Sequence, residues 1–170
     1  MRDVTVEDLV RILGLAPLPE EGGLFRETYR SRHVIDQQSL PAGYTGARSV
    51  ATAIYYLIAP GGFSSLHRLR GEEMFHFYLG DPVEMLQLGP EGIGEVIVLG
   101  TDLAAGMRSQ VLVPGGTWQG SKLRSGGRFA LLGATMSPGF DFEDFELGQR
   151  RRLVAEYPSF EKEILELTRG

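Results

Sequence analysis

GGFSSLHRLRGEEMFHFYLGDP, residues 61–82, holds two of the chain's three histidines and reads as two strands joined by a turn. Alternation along Phe63–Leu69 places Ser65, His67 and Leu69 on one face. The chain turns at Arg70-Gly71. Beyond it Glu73, Phe75 and Phe77 share one face, and Met74, His76 and Tyr78 share the other. One imidazole and one carboxyl group, His67 and Glu73, thus stand on strands that flank a tight turn.

Outward from this segment the same grammar repeats. There are 23 glycines, close to twice the usual share of about 7%. They fall as punctuating pairs, Gly22-Gly23, Gly61-Gly62, Gly115-Gly116 and Gly126-Gly127, with no internal repeat of fixed period. Between the breaks lie runs rich in Val, Ile, Tyr and Phe. Strands are expected at Leu24–Arg30, Ser49–Ile58, Phe63–Leu69, Glu73–Leu79, Val83–Leu88, Gly94–Leu99, Ser109–Val113, Trp118–Lys122 and Arg128–Thr135. That count suits an all-β double-sheet jelly roll.

Helices are expected only at the two ends. Thr5-Val6-Glu7-Asp8 has the form of a capped start, Val6, Leu9, Val10 and Leu13 share a stripe, and Gly14 ends it. Near the other end, Leu147–Tyr157 and the run after Pro158 carry helical periodicity, with Phe160, Ile164 and Leu167 on one face. The triple arginine at 150–152 reads as a solvated face.

A chain of 170 residues, 42% hydrophobic and 23% charged, fits one folded domain over residues 1–170. Its formal charge of −5 offers no basic stripe, so nucleic acid is not an expected partner. No apolar run approaches the roughly 20 residues that span a bilayer, and the start lacks a secretory pattern. A cytoplasmic protein without a membrane partner is the expectation. The absence of cysteine excludes disulfides and thiolate chemistry.

A second segment, VLVPGGTWQG at 111–120, adds a Pro-Gly-Gly turn, the one indole Trp118 and the amide Gln119. Together these residues resemble the cupin superfamily. Its first motif spaces a glycine, two histidines, a glutamate and a glycine as Gly61, His67, Glu73 and Gly80 are spaced, with Leu69 in the place of the second histidine. Its second motif is matched by Pro114-Gly115-Gly116, with Gln119 in place of the histidine, Leu123 in place of the asparagine and the leading glycine displaced to Gly106. The ordered stretches GGLFRETYRS, ATAIYYLI, HRLRGEEMFHFYLGDP, VPGGTWQ and SPGFDFEDFEL resemble, more narrowly, the uncharacterised single-domain cupin family five, a domain of unknown function. The resemblance implies a cupin-type jelly-roll β-barrel and a homodimer. It supplies no reaction.

A metal-bearing cupin uses two or three histidines and a carboxylate; here that set reduces to His67, Glu73 and Gln119, so no metal is assigned, although a divalent ion stays open. The metal-free reading makes His67 and Glu73 an acid–base pair, the carboxylate fixing the imidazole tautomer. His76 would join the site if a bulge between Glu73 and His76 turned it inward. Trp118 and Gln119 could stack on and orient a ligand, Tyr55 (like Tyr56 and Tyr78) could serve as an acid, and Arg26 could meet an anionic group. The leading expectation is a small-molecule-binding cupin with metal-independent sugar epimerase- or isomerase-like activity. The alternatives are a metal-dependent oxygenase or isomerase, and a non-catalytic ligand-binding or structural cupin.

Overall fold

The computed structural model describes residues 4–169. Helix α1 (Val6–Leu13) begins where Thr5 accepts from the Asp8 N–H while the Asp8 side chain bonds back to the Thr5 N–H, and ends at Gly14 with φ 64°. The strands follow in chain order: β1 (Ala16–Pro17), β2 (Leu24–Arg30), β3 (Val34–Ile35), β4 (Arg48–Ser49), β5 (Thr52–Ile58), β6 (Phe63–Leu69), β7 (Glu73–Gly80), β8 (Val83–Leu88), β9 (Gly94–Leu99), β10 (Gln110–Val113), β11 (Trp118–Leu123), β12 (Ala130–Met136) and β13 (Phe145–Leu147). Helices α2 (Arg150–Glu156) and α3 (Glu161–Glu166) close the chain.

Two antiparallel sheets form, in the orders β1-β2-β5-β12-β7-β10 and β13-β6-β11-β8-β9, beside a small β3-β4 pair. Their period-two patterns explain how they stack. Ile58, Phe75, Phe77, Met85, Leu99 and Leu132 point from both sheets into one buried layer. The back of the second sheet is apolar too. There Leu66, Leu86, Leu88 and Trp118 are covered by Leu153, Tyr157, Ile164 and Leu167 of the C-terminal helices and the turn between them. Helix α1 covers part of the first sheet, setting Leu9 against Leu57, Phe129 and Leu131. Each such fully buried Leu or Phe contributes about 1.5–3 kcal/mol.

The jelly-roll fold with short terminal helices is therefore the one found. The two sheets stay distinct, so the barrel is an open sandwich. The expected strand Ser49–Ile58 is divided: Arg48–Ser49 pairs with Val34–Ile35, and β5 starts at Thr52. The Arg48 side chain turns into the protein and holds Asp144 through Nε at 2.7 Å and Nη2 at 3.0 Å, both residues being buried. That ion pair fixes the 3₁₀ turn Phe142–Asp144 that leads into β13.

Candidate functional site

At one end of the sandwich the sheets part around a cavity of about 220 Å³. Its walls are apolar, with Phe25, Ile54, Leu69, Ala134 and Met136 among them, and two carboxyl groups, Glu21 and Glu73, open into it. Arg30, Glu27, Phe140, Asp141 and Phe142 also line it.

The alternation read from the sequence sets up this site. Glu73, Phe75 and Phe77 are buried on the inner face of β7, and His67 is buried on β6 of the opposite sheet. Strand β11 pairs Gln119 with His67 and slips register before Ser121. Gly120 permits the slip, because a Cβ there would lie 3.0 Å from the Ser64 carbonyl and 3.1 Å from the Leu66 side chain. Gln119 can then reach across the sandwich and donate its Nε2–H to Glu73 Oε2 at 2.7 Å.

His67 is 2% exposed and its ring stacks on Phe145 at 5.2 Å. Its Nδ1 lies 2.8 Å from the Ser65 carbonyl, which can only accept, so the neutral ring carries its proton there. The Nε2 lone pair is left facing Glu21 Oε2 at 3.9 Å. Ser65, rather than Glu73, thus sets the tautomer. Burial pushes the Glu73 carboxyl up to about 7; the His67 ring, when it is protonated, and the Gln119 N–H pull it back, while Glu21 pushes it further. Tyr56 is buried beside this cluster, its hydroxyl donating to the Gly22 carbonyl at 2.9 Å, and burial first, then the Glu21 charge, hold it well above the ordinary phenol range.

Glu21 is the site residue that sequence reading missed. It lies in the turn before β2, which shows in sequence as the Gly22-Gly23 pair. The turn is pinned to β6 by Ser65 N–H donating to the Glu21 carbonyl at 2.8 Å and by Ser64 Oγ donating to Glu21 Oε1 at 2.8 Å. No local spacing announces those contacts.

The remaining candidates lie elsewhere. His76 stays on the outer face, because pairing from Glu73 to His76 runs without a slip against both β10 and β12; the irregularity falls later, between Leu131 and Leu132. There His76 lies 3.0 Å from Thr135 Oγ1 and 3.0 Å from the Gln110 amide, and stacks on Tyr78. Tyr55 meets Tyr78 edge to face on that same side. Trp118 is a packing anchor beneath the C-terminal helices, with the Arg68 guanidinium 4.6 Å over its ring. Arg26 donates to the Leu13 carbonyl at 2.9 Å and so caps the end of α1. Of the expected set, the structure brings together His67, Glu73 and Gln119, and adds Glu21.

These residues do not fit a cupin metal. They offer one imidazole, Leu69 fills the place of the second, and Gln119 turns its N–H toward Glu73, so the amide carbonyl does not converge with the other donors. Among the described residues no three His, Cys, Asp or Glu side chains are grouped to hold an ion. No described helix is long and apolar enough to cross a membrane.

A family model described as cupin superfamily (DUF985) matches residues 7–148. A protein of Shewanella oneidensis solved by X-ray crystallography is 36% identical, with a TM-score of 0.87 over 100% of this chain and 99% of that one. A hypothetical protein from Leishmania major is 29% identical, with a TM-score of 0.86 over 98% of this chain and 99% of that one. An uncharacterised protein of Saccharomyces cerevisiae is 30% identical over 132 residues, which is 73% of this chain and 66%, just under two thirds, of the yeast protein.

Proposed function

The chain belongs to the DUF985 family of the cupin superfamily, and we propose that it binds a small polar molecule in the cavity between its sheets and moves a proton on it without a metal. One observation carries this reading: two largely buried carboxyl groups, Glu21 and Glu73, line the cavity among apolar side chains, and the His67 imidazole lies behind Glu21 at 3.9 Å. Burying such groups unpaired is costly, so a cavity that exposes them to a guest suits ligand binding better than core filling. Glu73 is the proton donor and acceptor, Gln119 positions it, and Glu21 and His67 set the charge around it. This is isomerase- or epimerase-like chemistry.

A thermal-shift screen of small polar metabolites tests the reading, because a ligand that binds the folded state alone raises apparent stability. At least one compound should raise the melting temperature of the wild type and promote uptake of solvent deuterium at a carbon next to its carbonyl. A broad screen that moves nothing would overturn the proposal.

The proposal extends to a homodimer. Beyond the reach of α1 the outer face of the first sheet carries Tyr78 at 48% and Leu112 at 44% exposure beside half-buried Met74, an apolar surface that a second copy would cover. Sedimentation at micromolar concentration should give twice the chain mass of 18.7 kDa; a monomer mass would sink this part.

A further inference from the structure

We infer that the guest of this cavity is a small organic cation, an alkylammonium or quaternary ammonium compound; the inference rests on the proposed reading of the cavity as a ligand site. The volume of about 220 Å³ lies below the roughly 300–1,000 Å³ of sites for drug-sized ligands, which favours a compact guest. Four carboxyl side chains line it, Glu21, Glu27, Glu73 and Asp141, against the single guanidinium of Arg30.

That guanidinium has no free charge to offer an anion. Arg30 holds both oxygens of Glu27, through Nε at 3.0 Å and Nη2 at 2.7 Å, and its Nη1 and Nη2 donate to the Phe140 carbonyl at 3.1 Å. Once Glu27 and Arg30 cancel, the surplus is acidic. Glu73, independently, is an incompletely satisfied buried group. It is 7% exposed, its Oε2 takes the Gln119 N–H, and no donor among the described residues reaches its other oxygen, although the side chain lines the cavity. When ionised, Glu73 in such a low-dielectric wall attracts a cation far more strongly than it would in water, and a bound cation in turn favours that ionised form.

The rings at the cavity suit the same guest. Phe140 and Phe142 meet edge to face with centroids 5.0 Å apart, and both line the cavity with Phe25. Aromatic faces attract cations, and quaternary ammonium groups are recognised by such rings together with carboxylates. A phosphate or carboxylate ligand would meet Glu21, Glu73 and Asp141 with no unpaired base among the described residues of the lining to answer it.

Three probes with one apolar body separate charge from shape: tert-butylammonium, tert-butyl alcohol and pivalate, titrated into the intact protein while the methyl resonances of Ala134 and Met136 are followed by NMR. The ammonium should saturate these shifts at least tenfold more tightly than the alcohol, and pivalate should leave them unmoved. Glu21→Gln and Asp141→Asn should each weaken the ammonium several-fold. The amide introduced by Asp141→Asn retains an acceptor for the Glu143 N–H that Asp141 now holds at 2.9 Å, so the loop fold is kept. Equal binding of ammonium and alcohol at these methyls would overturn the cation inference and leave the ligand site standing, as would tighter binding of pivalate. Silence from all three probes would also overturn it, and silence from the metabolite screen as well would overturn the ligand site itself.

Discussion

Exchanging Glu73 for Gln is expected to leave the protein folded and to lower turnover of the cavity's substrate about 10²–10⁴-fold, the worth of a positioned acid or base, and exchanging His67 for Asn to leave it folded and lower turnover in the same direction, by removing a group that sets the charge around Glu73. The substitutions are chosen from the contacts. Glu73→Gln keeps an acceptor for the Gln119 Nε2–H, now 2.7 Å from Glu73, while losing the proton that titrates. His67→Asn keeps a donor in the region of the Ser65 carbonyl while removing the imidazole Nε2 that faces Glu21. The two groups interact electrostatically across the sandwich, so the double variant should lose less than the product of the single losses. His76→Asn is the control: it changes the outer face of β7 and should leave turnover unchanged. Folded His67→Asn and Glu73→Gln proteins with wild-type turnover would remove both residues from the chemistry. If both single variants unfold, the pair is core packing.

How far the site was legible follows from how each residue gets there. Period-two alternation placed Glu73 inward and His76 outward, and the structure keeps that division because no slip occurs between them. Capping chemistry at Thr5 and Gly14 marked both ends of α1, since those contacts are local. Trp118 shows the limit of alternation. It stands next to inward Gln119, so it faces the back of its sheet, but what covers that back, α2 and α3, is set by packing between elements distant in sequence. SPGFDFEDFEL shows the same limit. Nothing local in it distinguishes its acids, yet Asp144 is buried by Arg48 from a strand about a hundred residues earlier, while Phe142 is 61% exposed at the cavity. Glu21 was invisible for the same reason: its partners Ser64, Ser65 and His67 belong to β6, and only the folded turn brings them near.

Stability should fall as pH rises toward neutrality, and Glu73→Gln should remove most of that fall. The sign follows from proton counting. Burial raises the Glu73 carboxyl from 4.5 to about 7, so between those values the folded protein holds a proton that the unfolded chain has released. Stability then decreases with pH across that window. Below about 4.5 both states are protonated and the group contributes nothing; above about 7 both are ionised and the full cost of a buried carboxylate is present. A shift of that size corresponds to about 3 kcal/mol. Glu166 does not mask it: its hydrogen bond to Lys122 lowers its carboxyl, so its own contribution changes below 4.5 rather than above. The glutamine side chain of Glu73→Gln carries no ionisable proton and keeps the acceptor for Gln119. The variant should therefore match or exceed the wild type at about pH 8 and lose that advantage near pH 5. Urea unfolding of both proteins across this range reads the difference directly. Parallel stability curves for the two would mean that Glu73 titrates as an ordinary solvated carboxylate, and that water reaches it freely through the cavity in which we place the ligand.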